Sequence, residues 1–162
     1  MVPLLPLVLI APLLVAMAYS DLNHMRIPNV LCLIALAVFG LAALIAPPDD
    51  LVARIVVAGS VFALGFAAFC LRILGGGDVK MLSALLLFVP VPTMPLFALV
   101  FSASMLAGIA IVLGLRRLPA AHRLGWKSIS GSTGFPMGLS IAMAGLLHPA
   151  AAMLIDAERI LQ

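Results

Sequence analysis

Two aspartates stand where this oily chain could put them to chemical use. Asp21 closes the first hydrophobic run, in Ser20-Asp21-Leu22-Asn23-His24-Met25-Arg26-Ile27-Pro28-Asn29. Asp78 follows a glycine triplet, in Gly75-Gly76-Gly77-Asp78-Val79-Lys80, between two later runs. A carboxylate beside hydrocarbon is costly, so each is a candidate functional group that needs a partner. Taken singly, each has an ordinary reading: Asp21 meets the membrane interface, and Asp78 caps the next helix. Taken together, they suggest water activation by a carboxyl pair. One ionised group takes a proton from water, and one protonated group polarises a carbonyl. Like charges held close do not both ionise easily, so the proton belongs to the pair. A bell-shaped dependence of activity on pH is expected from such a pair.

The elements that must position these residues are membrane helices. The chain has 162 residues, of which 65% are hydrophobic and 9% charged, with a mean hydropathy of +1.30. Soluble domains carry about 25% charged residues. A single all-α membrane bundle spanning residues 1–162 is therefore expected. A span needs roughly 20 apolar residues. By that test about six spans are expected, covering residues 2–20, 28–46, 52–74, 79–89, 95–115 and 133–155. The fourth is short. Either its glycine turn lies below the membrane surface, beside a hydrated pocket at Asp78, or the bilayer thins around it.

Charge sets the expected orientation. With the N-terminus outside, the inner segments hold Arg26, Arg72, Lys80, Arg116, Arg117, Arg123 and Lys127, and the outer ones Arg54 and Arg159. Both aspartates then face the cytoplasm. The net charge of +3 is not gathered into a patch, so no nucleic-acid partner is expected. Cys32 and Cys70 read as packing residues, and no C-x-x-C is present. His24 has no companion at ligand spacing, so no metal or cofactor is expected. The N-terminal run lacks a basic start and reads as an uncleaved helix.

The constellation resembles the type IV prepilin peptidases, membrane aspartyl proteases of the GxGD type. The resemblance rests on Ser20-Asp21 with Ile27-Pro28-Asn29, and on Gly75-x-Gly77-Asp78-x-Lys80. Gly134-Phe135-Pro136-Met137-Gly138 is similar to a third, weaker family segment. The resemblance implies that Asp21 and Asp78 are catalytic. It implies a substrate too: a prepilin or pseudopilin with a short basic leader before a hydrophobic helix, cut at the cytoplasmic face of a bacterial inner membrane. The short form resembles peptidases serving Flp/Tad-type pili. The N-terminal part with paired cysteines that accompanies N-methylation in longer members is not seen, so methylation is not carried over.

Other residues have expected supporting roles. Gly75, Gly76 and Gly77 would turn the chain, or let an extended substrate lie against the backbone. Asn29 would help orient Asp21, and Pro28 would open the second helix. Lys80 would bind lipid phosphate, set topology or tune Asp78. Trp126 beside Lys127 reads as an interface anchor. Asp49 and Asp50 fall in an outer loop, where amide substitution should be silent. Two rival functions are a small proton-coupled transporter and a non-catalytic pilus assembly factor. No further buried acid is expected in the outer half to continue a proton path, and the retained aspartates disfavour an inactive factor.

Overall fold

The computed structural model describes residues 5–118, 125–130 and 134–161, and the described chain is an all-α membrane helical bundle without strands. The expected loop at Pro119-Ala120-Ala121 lies outside the described residues, as does Arg123. Helices α1 (Leu5–Leu9) and α2 (Ala11–His24) cover the first expected span. They part at Ile10, because Pro12 in the first turn of α2 has no N–H to give the preceding turn. Helix α2 does not stop at Ser20. It runs one turn further, to a left-handed Met25 (φ 54°), so Asp21 is inside the helix rather than at its end.

Helix α3 (Asn29–Ile45) begins one residue later than expected, and Pro28 is its extended N-cap rather than its first helical residue. Helix α4 (Leu51–Cys70) stops short of Leu74, at a turn through Arg72 (φ 60°). Helix α5 (Gly76–Leu86) shows the largest departure. Gly76 and Gly77 are helical, and only Gly75 keeps an extended conformation (φ −75°, ψ 138°). The expected glycine turn is thus one residue wide. Packing outweighs glycine's poor helix propensity here. A Cβ on Gly77 would stand 3.0 Å from Ile27 Cβ and 3.2 Å from the Ile27 carbonyl oxygen, and one on Gly76 would stand 3.2 Å from the Phe69 ring. The glycines let the start of α5 press against the α2–α3 connection and the end of α4.

A short 3₁₀ turn (Val91–Thr93) leads into α6 (Met94–Arg117). A four-residue helix, α7 (Lys127–Ser130), precedes α8 (Met137–Leu161). Among the described residues, three stretches are long and apolar enough to cross a membrane: Leu51–Cys70, Val91–Arg117 and Met137–Ile155. Helix α3 has 17 residues, and α5, with 11, reaches only about 16 Å. Helix α8 is the hub, packed against α6, α2 and α5; α4 leans chiefly on α5. The core gathers Leu14, Met17, Met81, Leu85, Phe88 and Ile141, all buried. Leu44, Leu64 and Leu106 are 83%, 73% and 72% exposed, a face suited to lipid rather than water.

Polar contacts tie the two ends of the bundle. At the end away from Asp21, Arg54 is 3% exposed. Its Nε donates to Asp50 Oδ1 (2.6 Å) and its Nη1 to the Leu87 carbonyl (3.3 Å). The Val91 N–H donates to Asp50 Oδ2 (2.8 Å). Nearby, Thr93 Oγ1 donates to the Pro90 carbonyl and pairs with His148 Nε2 (3.1 Å), fastening α8 to the start of α6. Asp50 is therefore a clamp between α4 and the exit of α5, more than the outer-loop acid expected from the sequence, and its substitution bears on stability.

Burial alone would raise the Asp50 pKa. The Val91 N–H and the Arg54 guanidinium outweigh it and hold the carboxyl below the usual carboxylate value. A depressed folded pKa stabilises the fold above the unfolded value, and that stability is lost as pH falls through the folded one. Asp50→Asn is expected to cost about 1–3 kcal/mol at neutral pH, because it leaves Arg54 buried without its charge partner. Thermal unfolding in detergent should show a lowered midpoint at pH 7, and a gap from wild type that closes in acid below about pH 4. Equal midpoints at pH 7 would refute the clamp. The exposed Asp49 should give no shift.

Candidate active site

Asp21 on α2 and Asp78 on α5 both stand beside the start of α8. Asp21, in the last turns of α2, is 4% exposed. Its Oδ2 accepts the Gly138 N–H at 2.6 Å, and its carboxylate also accepts from the Leu139 N–H. Both donors belong to the first turn of α8, where N–H groups have no partner inside the helix. A helix N-terminus favours a negative charge, so the start of α8 offsets part of the cost of burying the Asp21 carboxylate. The approach needs a glycine. A Cβ on Gly138 would stand 2.8 Å from Asp21 Oδ2 and 3.0 Å from its Cβ and Cγ.

Asp78 is the third residue of α5, and its carboxylate accepts the N–H of the N-cap residue Gly75. This is the returning half of a capping box. Asp78 is thus not itself the N-cap. Its carboxylate would collide with any Cβ on Gly75. Asp78 is within electrostatic reach of Asp21.

A cavity of about 250 Å³ borders Asp78. Its other walls are Val61, Leu64, Gly65, Ala68, Leu74, Val79, Leu82 and Met137. The pocket expected at Asp78 is therefore present, but its lining is apolar rather than hydrated in character. Met137 adjoins Gly138, so one step along α8 leads from the wall beside Asp78 to the donor on Asp21.

The other expected residues fall elsewhere. Lys80 Nζ donates to Asn29 Oδ1 at 3.0 Å, so these two residues pair with each other. Both line a second cavity of about 740 Å³ between α3, α4 and α5, which does not include Asp78. The expected role of Asn29 beside Asp21 is filled by the start of α8. Among the described residues, no group of His, Cys, Asp and Glu could hold a metal. Cys32 is buried and Cys70 exposed, and both are free. Trp126 stacks edge-on against Tyr19.

Residues that sequence reasoning passed over complete the frame. Arg116, expected to serve only topology, donates to the Ser128 carbonyl (2.9 Å) and the Gly134 carbonyl (2.7 Å). Ser128 Oγ donates to the Leu22 carbonyl (2.6 Å). The end of α6 thereby fixes the approach to α8 against α2. Only the Gly134–Gly138 segment carried a signal for this, and it was weak.

A model of the type IV leader peptidase family matches residues 8–114. The chain belongs to the type IV leader peptidase family. The matched stretch contains both aspartates and ends before α8, so the donors on Asp21 lie outside it. Membership makes the protein a protease of the leader-peptidase kind, as the motifs implied. No curated protein and no solved structure matches the chain.

Proposed function

We propose that the protein is an aspartic endopeptidase that removes the leader of Flp/Tad-like prepilins or pseudopilins, with Asp21 and Asp78 as its catalytic pair. The observation that carries this reading is that a buried and a half-buried carboxyl, 57 positions apart in the sequence, both stand beside the start of α8: Asp21 on the Gly138 N–H, and Asp78 in the cavity that Met137 also lines. Water attack on the scissile carbonyl needs a base and an acid. Two α8 donors favour the charged form of Asp21, and one donor serves Asp78. This biases the shared proton towards Asp78, making Asp21 the base that takes a proton from water and Asp78 the acid that polarises the carbonyl. The tetrahedral intermediate then collapses as a proton passes to the leaving amine. No covalent enzyme intermediate arises. The rival transporter reading gains nothing from this geometry, since both carboxyls lie at one end of the bundle.

The site is proposed to face the cytoplasm, where a basic leader would emerge. With Cys32 and Cys70 replaced by alanine, a cysteine at position 49 should label with an impermeant reagent from outside the cell, and one at position 127 should not. Reversed labelling would place the aspartates on the wrong side. The activity itself is tested with the purified protein in detergent and a candidate prepilin, by mass of the released leader. Failure to cut any prepilin carrying a basic leader would refute the reading.

A further inference from the structure

We propose that the groove between α3, α4 and α5 holds one anionic phospholipid, with its phosphate on Lys80 and Asn29 and its acyl chains along the groove. The groove is separate from the cavity beside Asp78, and the lipid site does not rest on the peptidase reading.

The groove exists because α3 and α4 each pack on α5 and far less on each other. Its volume is about 740 Å³. Asn29 opens α3 and Lys80 lies near the start of α5, so the two mark the aspartate end. From there the groove follows α3 as far as Phe39, a rise of about 15 Å at about 1.5 Å per residue. That is half of the ~30 Å of bilayer hydrocarbon, the depth of one leaflet. A helix, about 10–12 Å across with its side chains, needs more room than this over such a length. Acyl chains do not.

The chemistry changes along the groove as it does along a lipid. At the aspartate end Lys80 Nζ donates to the neutral Asn29 Oδ1 (3.0 Å). Among the described residues no carboxylate stands within ion-pair distance of Lys80. Its charge is therefore uncompensated, and two of its three N–H bonds remain for an anion. Beyond it the lining is apolar. Ser83 is no exception, since its Oγ donates to the Val79 carbonyl within α5 (2.8 Å). Cys32, Ala58 and Ala84 are buried along the floor, whereas Leu33, Leu36 and Phe62 are exposed at the rim. The groove is thus closed towards the bundle and open towards the bilayer, so a phospholipid can enter from the side. The basic leader of a prepilin would meet like charge at Lys80, which favours a lipid over substrate as the occupant.

The test is a lipid titration of the full chain in detergent, read by native mass spectrometry as the population carrying one lipid. Phosphatidylglycerol and phosphatidylcholine with the same acyl chains are the probes. Wild type should bind phosphatidylglycerol about fivefold more tightly, the preference that one lysine near the head group supplies. Lys80→Gln removes the charge and should bring that ratio to about one. Arg72→Gln, at an exposed cation after α4 that does not line the groove, should leave the ratio unchanged. Gly59 lines the groove, and an added Cβ there meets nothing. Gly59→Phe should therefore occupy the groove without striking the protein and weaken both lipids at least about tenfold, which displacing two methylenes is enough to cause. Gly59→Leu serves if Gly59→Phe does not fold. Equal binding of the two lipids by wild type, or an equal loss of preference in Lys80→Gln and Arg72→Gln, overturns the head-group site. Unchanged lipid affinity in the Gly59 variants overturns the groove. If those variants keep their lipid but lose prepilin cleavage, the groove belongs to the substrate and the lipid site is refuted.

Discussion

Asp21→Asn and Asp78→Asn are each expected to lower leader cleavage by at least about 10²-fold, and up to about 10⁴-fold, while the protein still inserts into the membrane. The asparagine amide keeps the size of the carboxyl but is neither a base nor a proton donor at neutral pH. Its carbonyl oxygen can still accept an N–H from Gly138 at position 21, or from Gly75 at position 78. Those backbone bonds are the ones that tie each carboxyl to its surroundings, so the loss should be chemical rather than structural. Because the pair acts as a unit, the double variant should be little worse than either single one. Cleavage of a prepilin in membranes, normalised to protein level, measures this. Either variant retaining more than about a tenth of wild-type activity would contradict an acid–base role for that residue, whose removal costs about 10²-fold or more. Asp49→Asn is the right control, because Asp50→Asn disturbs the clamp on Arg54.

The next largest effect is expected from a residue with no functional group. Gly138→Ala places a methyl 2.8 Å from Asp21 Oδ2 and 3.0 Å from its Cβ and Cγ. Carbon does not sit that close to these atoms, so something must shift. Asp21 is on the buried face of α2, and the donors are on α8 itself, so the carboxyl must turn or the two helices must part. A displacement of about 1 Å in a catalytic group can cost about 10²-fold. A fall in kcat of about 10- to 100-fold is expected, with KM little changed. Gly40→Ala and Gly114→Ala, where an added Cβ meets nothing, should leave activity alone. They should raise stability by up to about 1 kcal/mol, since alanine is the better helix former. Full activity in Gly138→Ala would mean that Asp21 does not need the α8 donors.

The Gly138 N–H on Asp21 joins residues 117 positions apart and leaves no mark in the local sequence. Hydropathy alone indicated a bundle of membrane helices, because roughly 20 apolar residues per span is a one-dimensional requirement of bilayer thickness. Among the described residues three helices, not six, are long and apolar enough to cross. The helix limits fared less well. Gly76 and Gly77 read as a turn by propensity, yet they are helical because α5 packs its start against Ile27 and Phe69. Asp50 read as an outer-loop acid, yet it binds Arg54 and the Val91 N–H across a connection of 41 residues. Asn29 read as a companion of Asp21, and Lys80 as a residue that binds lipid phosphate, sets topology or tunes Asp78, yet they pair with each other beside a different cavity. In each case, a contact with a distant element decided the outcome.

The sequence by itself determined the membrane class and the family and singled out the two aspartates as candidates, since each is written in composition or in a short motif of fixed spacing. The tertiary structure alone decided what surrounds those aspartates. The Gly138 N–H that holds Asp21 comes from 117 residues away, and the wall of Leu82, Ala68 and Met137 beside Asp78 is drawn from three helices. Local patterning records which face of a helix is apolar, but it does not record which neighbour that face will meet. That choice is made when the helices pack, and it fixes which backbone donors and which apolar walls the two carboxyls share.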